Sequence, residues 1–216
     1  MDQDRGLRER LIDVGVQLVT TEGTAALGLR EIARRAGVSH GAPRRYFPTH
    51  HALLSAIARR GFEDLGSRFP AAMSAGARAS VTGSGTDPES SAGPGTGEAR
   101  EQLRALGRAY VGYALENRGM FELMFRHDLL DSTGQDGPPG APLRDSTLPL
   151  FGLLVSLVDR CGTPGAPRIT AAALWANLHG VAQLWAWGSL PLVLGGDPEA
   201  SVDHVVDAAL GAHLRP

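Results

Sequence analysis

Apolar residues recur at intervals of three and four along most of this chain, and no stretch alternates apolar and polar residues as a half-buried strand does. The first helix is expected over residues 7–21, with Gly23 following at a position typical of a helix end. Its apolar stripe consists of Leu7, Leu11, Val14 and Leu18. The pattern predicts an all-α protein of about nine helices.

Further helices are expected wherever this periodicity resumes between breakers. Their predicted spans are residues 29–36, 39–47, from Thr49 to about 69, 98–127 with an interruption at 117–119, 146–160, 169–188 and 200–214. Two stretches rich in Ser, Gly and Pro, residues 74–97 and 131–144, contain little apolar material and predict mobile loops. We expect a small N-terminal domain over residues 1–50 and a larger helical domain over residues 51–216.

Composition excludes several classes of protein. With 43% hydrophobic and 20% charged residues the chain is typical of a globular protein in water. No apolar run reaches the roughly 18 residues of a membrane-spanning helix, and the polar start does not have the form of a secretory signal. The one cysteine, Cys161, cannot form an internal disulfide or a Cys-rich zinc site, and the adjacent His50 and His51 have no third metal ligand at useful spacing. We expect a cytoplasmic protein without metal, cofactor or membrane contact.

Positive charge is concentrated near the N-terminus. Residues 1–62 carry ten arginines and six acidic residues, whereas residues 63–216 carry eleven arginines and seventeen acidic residues. All basic residues are arginine, whose forked guanidinium can contact phosphate and guanine with two parallel hydrogen bonds. A basic head on an acidic body is the distribution expected when one end of a protein meets DNA.

Residues 29–47 carry the constraints of a helix-turn-helix. Ala33 is small enough for two helices to cross closely, and Gly37 can adopt the positive φ that a tight turn needs. Ser39 is suited to cap the helix that follows. The core of the motif is expected to contain Ile32, Val38 and Phe47.

The second helix of such a motif places its N-terminal residues in a major groove. Small side chains at its start allow close approach of the backbone, and nearby polar or cationic side chains reach phosphates or base edges. The candidate DNA contacts are Arg30, Ser39, His40, Gly41, Ala42, Arg44, Arg45, Tyr46 and His50.

The first 62 residues resemble the DNA-binding domain of the TetR (tetracycline-repressor-like) family. The matching segments are Leu-Arg-Glu-Ile-Ala at 29–33, Ala-Gly-Val-Ser at 36–39, Gly-Ala-Pro at 41–43, Tyr-Phe-Pro at 46–48 and Ala-Leu-Leu at 52–54. The rest resembles, more loosely, a subgroup with a Trp-x-x-x-His-Gly signature, here Trp175, His179 and Gly180. The resemblance implies an all-helical homodimer, paired through its last two helices in a four-helix bundle, and a C-terminal domain whose small-molecule ligand releases DNA.

The sequence departs from the family pattern at a few positions of the motif. Gly28 stands where Ser or Thr often caps the second helix, Arg44 where Tyr is frequent, and His50 where a phosphate-binding Lys is usual. Pro43 removes one early hydrogen bond from the recognition helix. These departures leave the details of the phosphate contacts and the operator sequence open.

A polar stripe suggests where a ligand would bind. Trp175, His179 and Gln183 recur every four residues and therefore share one face of a helix. The stripe either borders an apolar cavity with a few polar groups, or contains an ordinary core histidine with its hydrogen bonds satisfied. The candidate ligand contacts are Phe69, Tyr110, Tyr113, Phe121, Met124, Phe125, Trp175, His179 and Gln183.

A second apolar stripe on the same helix, continued on the last helix, is the candidate dimer surface. Its residues are Leu174, Leu178, Val181, Trp185, Val202, Val206, Ala209 and Leu210. We therefore expect a dimeric repressor that binds a palindromic DNA operator and is released by a small-molecule effector. The alternatives are a helical DNA-binding or interaction protein without a ligand and, with less support, an enzyme, since no nucleophile elbow, His-Glu metal motif or phosphate loop is present.

Overall fold

The computed structural model describes residues 2–82, 95–130, 143–195 and 198–214, and in these residues the regular structure is entirely helical. Nine α-helices follow one another there: α1 Asp2–Glu22, α2 Leu29–Arg35, α3 His50–Thr82, α4 Thr96–Glu116, α5 Arg118–Met124, α6 Arg144–Arg160, α7 Pro167–Ala186, α8 Ser189–Leu194 and α9 Pro198–His213. Short 3₁₀ turns lie at Thr24–Ala26 and Ala42–Arg45. The prediction of an all-α fold with about nine helices is confirmed.

The chain forms two compact units. The first contains Met1–Asp64 together with Asn117–Leu148, and the second contains Leu65–Glu116 together with Pro149–Pro216. A division after residue 50 was predicted, but α3 begins at that residue and runs on without a break, and α5 groups with the N-terminal helices. The compact units therefore do not have the boundaries that were predicted from the sequence.

The first unit is built around α1. Its buried residues Leu11, Leu18 and Val19 pack in a core shared with α2 and the start of α3. Helix α5 approaches α1 closely at Gly119, where a Cβ would lie 2.2 Å from the carbonyl oxygen of Val19. The backbone of α5 thus rests directly on the last turns of α1.

Helix α3 is longer than predicted. Residues 74–82 belong to it, although they were expected to begin a mobile loop. The reason is close helix packing: a Cβ on Gly76 would meet the backbone of Glu101 and Gln102 in α4 at 2.7–2.8 Å. Small residues in this stretch allow α3 and α4 to touch and do not indicate mobility. The rest of the two predicted loops, residues 83–94 and 131–142, lies outside the described residues.

The second unit packs α7 between α4 and α9. Gly107 of α4 lies against Leu178 of α7 and Val206 of α9, at the centre of this three-helix core. On its rim, Arg104 pairs with Asp207 at 2.7 Å and Arg108 pairs with Asp203 at 2.9 Å. These ion pairs tie α4 to α9 where both helices are partly exposed.

The observed helix boundaries match the predicted ones only in part. The predicted interruption at 117–119 is confirmed as a break at Asn117, between α4 and α5. Helix α8 was missed, because residues 189–194 lie within a segment whose Pro and Gly residues predicted only a connection. Gly188 precedes it with φ of 79° and so allows the chain to turn between α7 and α8.

Candidate nucleic-acid interface

The turn after α2 has the geometry expected of a helix-turn-helix. Gly28 precedes the helix in an extended conformation, and its carbonyl oxygen accepts the N–H of Ile32 at 3.0 Å. Gly37 adopts φ of 69°, and the N–H of Val38 donates to the carbonyl oxygen of Ala33 at 3.0 Å. Ala33 itself is fully buried. The predictions for Ala33 and Gly37 are confirmed, whereas Val38, which was expected in the core, is half-buried.

The segment after the turn is not the α-helix that was predicted over residues 39–47. Its regular structure is the 3₁₀ turn Ala42–Arg45, preceded by Gly41, so Ser39 does not act as the expected cap. Pro43 is the cause, since it has no N–H to donate to the carbonyl of residue 39. That carbonyl instead accepts the N–H of Ala42 at 3.0 Å, and the carbonyl of Pro43 accepts the N–H of Phe47 at 2.9 Å.

Most of the candidate DNA contacts are accessible to solvent. Those exposed to solvent are Arg30, Ser39, His40, Gly41, Arg44 and Arg45, while Ala42, Tyr46 and His50 are half-buried. Pro43 is buried and anchors the turn beneath them. Arg30, Arg44 and Arg45 are therefore accessible to a ligand outside the protein.

Charge compensation distinguishes the arginines of the motif. Arg34 and Arg35 both donate to the carboxylate of Glu31, at 2.6–2.8 Å, and Arg35 also pairs with Glu22 at 2.7 Å. Hydrogen bonds from these two arginines lower the pKa of Glu31 to about 2. By contrast, Arg44 and Arg45 make no ion pair with any residue that the structure describes. Uncompensated positive charge thus lies on the 3₁₀ turn.

His50 makes a contact within the protein, and its predicted phosphate contact stays a prediction. Its Nε2–H donates to the carbonyl oxygen of Leu27 at 2.6 Å, which ties the start of α3 to the end of the preceding connection. Nε2 is therefore committed within the protein. The predicted cap of α3 is confirmed, since the Thr49 hydroxyl accepts the N–H of Ala52 at 3.0 Å.

The polar stripe on α7 forms a hydrogen-bonded cluster with α4. The Tyr110 hydroxyl lies 2.9 Å from Nδ1 of His179 and accepts the indole N–H of Trp175 at 3.2 Å. Burial raises the pKa of Tyr110 and lowers that of His179, so both side chains are neutral near pH 7. This arrangement satisfies His179, as the alternative of an ordinary core histidine requires, while Trp175 keeps 38% of its surface exposed.

The other candidate ligand contacts are divided between the two compact units. Phe121, Met124 and Phe125 belong to the first compact unit, where Phe125 makes edge-on contacts with Phe62 at 5.6 Å and Phe121 at 5.0 Å. Phe69 and Tyr113 are buried in the second unit, and Gln183 is half-buried on the stripe. The ligand-contact role of these residues stays a prediction, and the stripe with Tyr110 is the candidate effector site with the polar groups described above.

The predicted dimer surface must be corrected. Seven of its eight residues are buried within the single chain, and Val202 is half-buried. The seven are Leu174, Leu178, Val181, Trp185, Val206, Ala209 and Leu210. They form the core that joins α4, α7 and α9, so they cannot supply an exposed interface. Helical periodicity identified a buried face but could not show what covers it.

The exposed face of α7 is the surface that the sequence pattern did not reveal. Ile169 is 70% exposed, Leu184 41% and Trp187 73%, and small residues lie between them on this face. On α8, which follows in the chain, Leu192 is 83% exposed and Val193 75%. One signal was available in the sequence: residues 169–196 contain no Asp, Glu, Lys or Arg.

The short helix α2, the tight turn and the uncompensated arginines are the features of a helix-turn-helix DNA-binding protein. Two family models match different parts of the chain. Residues 11–57 match the family described as bacterial regulatory proteins, tetR family. Residues 103–209 match a tetracyclin repressor-like C-terminal domain. The chain belongs to the TetR family of helix-turn-helix transcriptional regulators.

Individual proteins are similar to this chain in sequence or in fold. The chain is 32% identical over 108 residues to an uncharacterized HTH-type transcriptional regulator in the dhlA 5′ region of Xanthobacter autotrophicus; the match covers 50% of this chain and 45% of that protein. A solved structure of a protein of unknown function from Rhodococcus sp. RHA1 is 30% identical, with a TM-score of 0.64 over 97% of this chain and 94% of that one. A TetR-like transcriptional regulator from the same organism, 20% identical, shares the fold, with a TM-score of 0.55 over 95% and 94% of the two chains.

Metal-ligand clusters and long apolar helices are absent from the part of the chain that the structure describes. No group of three or more His, Cys, Asp or Glu side chains there is arranged to hold a metal ion. None of the helices described above combines the length and the apolar character needed to cross a bilayer.

Proposed function

We propose that this regulator acts as a dimeric repressor in the cytoplasm, binds a pseudo-palindromic operator, and leaves it when a small-molecule effector binds. The observation that carries the DNA-binding part is the contrast among the arginines of residues 29–47. Arg34 and Arg35 are neutralised by acidic neighbours, whereas Arg44 and Arg45 are exposed and uncompensated on the turn that the motif presents. A free guanidinium loses no protein partner when it binds a phosphate or a guanine.

The dimer is supported by the exposed face of α7 and α8. Isolated apolar side chains are common on protein surfaces, but a contiguous group is typical of a binding surface. Ile169 and Leu184 lie on one face of α7, and Trp187 directly follows its end. Residues 169–196 carry no formal charge that partner association would have to desolvate. On α9, the exposed residues Gly211 and Ala212 would allow a helix of a second copy to approach closely. Two operator half-sites then follow from the two-fold symmetry.

The effector site is proposed at the cluster of Tyr110, Trp175 and His179. It combines a half-exposed indole with two neutral polar groups, and such a combination suits a largely apolar ligand with a few polar atoms. The resemblance to the Trp-x-x-x-His-Gly subgroup is consistent with this placement. An effector acts only if it binds the DNA-free conformation more tightly than the DNA-bound one.

Binding-site selection from random DNA tests the proposal directly. We expect the selected sequences to contain an inverted repeat whose half-sites lie about one helical turn apart or slightly more. Arg44→Ala should weaken binding to the selected site, while the exposed but ion-paired Arg34→Ala serves as the control and should bind nearly as well as the wild type. Selection of no sequence, or of an asymmetric one, would contradict the dimeric operator.

A regulator without an effector is the second candidate, and the satisfied hydrogen bond of His179 favours it. A melting-temperature screen against small lipophilic compounds separates the two. Compounds that raise the melting temperature of the wild type but not of Trp175→Ala, and that also release the operator, support the effector site. Absence of any such compound supports the second candidate.

A further inference from the structure

An aromatic row on the second unit ends in an arginine that the functions above do not use. The guanidinium carbon of Arg168 lies 5.4 Å from the ring centre of Phe151, and Phe151 makes an edge-on contact with Trp175 at 6.4 Å between ring centres. Arg168 and Trp175 are seven residues apart on α7 and so lie on the same face. We call these three residues, Phe151, Arg168 and Trp175, the aromatic shelf.

The shelf is accessible to a ligand. Arg168 is exposed, Phe151 is half-buried and Trp175 keeps 38% of its surface in contact with solvent. The inner edge of the shelf is fixed, because the indole N–H of Trp175 donates to the Tyr110 hydroxyl at 3.2 Å. A planar molecule could therefore contact the exposed part of Trp175 and of Phe151 without rearranging the polar cluster behind them.

The charge of Arg168 is not neutralised within the described part of the chain. No ion pair links it to an acidic residue there, and residues 169–196 of its own helix and beyond contain no Asp or Glu. The acidic residues of α6 do not compensate it either: Asp145 lies by Arg144, and Asp159 makes no ion pair with Arg168. Arg168 also occupies the first turn of the 20-residue helix α7, where the helix dipole adds positive potential.

We infer that the effector is an aromatic carboxylate whose ring lies on Phe151 and Trp175 and whose carboxylate pairs with Arg168. The inference rests on the proposed effector site and names its ligand class. The Arg168 guanidinium lies against the Phe151 ring, and a guanidinium can donate two parallel N–H groups to a carboxylate as a bidentate pair. The neutral groups beyond Trp175 add no second charge, so a monoanion matches the site better than a dianion.

Titration calorimetry of the full chain with 1-naphthoate and with its neutral isostere 1-naphthamide tests the inference. We expect the wild type to bind naphthoate about tenfold more tightly than naphthamide. Arg168→Gln should remove this difference, Arg168→Lys should restore part of it, and Trp175→Ala should weaken both ligands. Arg108→Gln, which removes an exposed arginine paired with Asp203, is the control and should keep the preference for the acid.

Equal affinity for the two compounds, a preference for the acid that survives Arg168→Gln, or no binding of either at millimolar concentration would overturn the inference. Release of operator DNA is measured in parallel and separates this failure from that of the proposed function. If neutral compounds release DNA through Trp175 and the acid has no advantage, the effector site stands and the ligand class is wrong. If naphthoate binds through Arg168 and never affects DNA, the shelf is a binding site and the effector role fails.

Discussion

Substitution of Gly119 by alanine provides a sharp test of the packing between α5 and α1. In an isolated helix the change should stabilise by at most about 1 kcal/mol, because alanine has the higher helix propensity. Here the new Cβ would lie 2.2 Å from the carbonyl oxygen of Val19, which is backbone and cannot rotate away. That oxygen also accepts the N–H of Gly23 at 3.2 Å, so displacing it strains the end of α1.

The clash should outweigh the gain in propensity. Overpacking of this kind costs about 1–3 kcal/mol and more when backbone must move, so we expect a net loss of about 2 kcal/mol. For a chain of this length that corresponds to a fall of about 4–8 °C in the melting temperature. Chemical denaturation monitored by circular dichroism measures the free energy of unfolding.

A matched substitution controls for helix propensity. Gly112 lies within α4, and a Cβ added there meets no atom within 4 Å, so Gly112→Ala should raise the stability by up to about 1 kcal/mol. The two variants are expected to change stability in opposite directions. If Gly119→Ala were as stable as the wild type, the close approach of α5 to α1 would be refuted.

Three further predictions concern the dimer, the polar cluster and the cysteine. Trp187→Glu places a charge on the exposed face of α7 and should shift light-scattering mass from dimer to monomer; an unchanged dimer would exclude that face. Burial lowers the pKa of His179, so the unfolded chain binds a proton at this histidine at a higher pH than the folded chain does. The free energy of unfolding should therefore fall as pH drops below about 6.5, by at most about 1.4 kcal/mol per pH unit. The slope should shrink in His179→Gln, and an identical pH profile would rule out this histidine. Burial also raises the pKa of the Cys161 thiol, so a thiol reagent should label it only on unfolding; rapid labelling of the native protein would contradict its burial.

Local backbone conformations at turns, caps and helix breaks were predicted best from the sequence. Gly37 was expected to take positive φ and does, and Thr49 was expected to cap α3 and does. Asn117 separates α4 from α5 where the periodicity was interrupted. Each of these depends on the conformational preferences of a few adjacent residues, which sequence displays directly.

Features that depend on contacts between residues far apart in the sequence could not be predicted in this way. The small residues around Gly76 resemble a linker in composition, and only the backbone of α4 facing them shows that they serve close packing. Likewise, the stripe through Leu174 and Leu178 was known to be apolar, but periodicity does not reveal whether the same chain or a second copy covers it. The fold class was therefore predictable, and the assignment of faces was not.

The prediction for the recognition segment was wrong for a local reason, the proline at position 43. Pro43 was recognised as costing one hydrogen bond, yet an α-helix was still expected over residues 39–47. In so short a segment one missing bond is a large fraction of the total, and the chain adopts the 3₁₀ turn Ala42–Arg45 instead. The side chains that face outward are nevertheless those named from the sequence.

The central claim is that Arg44 and Arg45 contact DNA while the ion-paired arginines of the same motif do not. Its most direct test is the salt dependence of operator affinity, because removal of one arginine–phosphate pair lowers the slope of log K against log salt by about 1. We predict a clearly smaller slope for the double variant Arg44→Ala, Arg45→Ala and an unchanged slope for Arg34→Ala. Equal slopes for the wild type, the double variant and Arg34→Ala would contradict the account, and so would a decrease confined to Arg34→Ala.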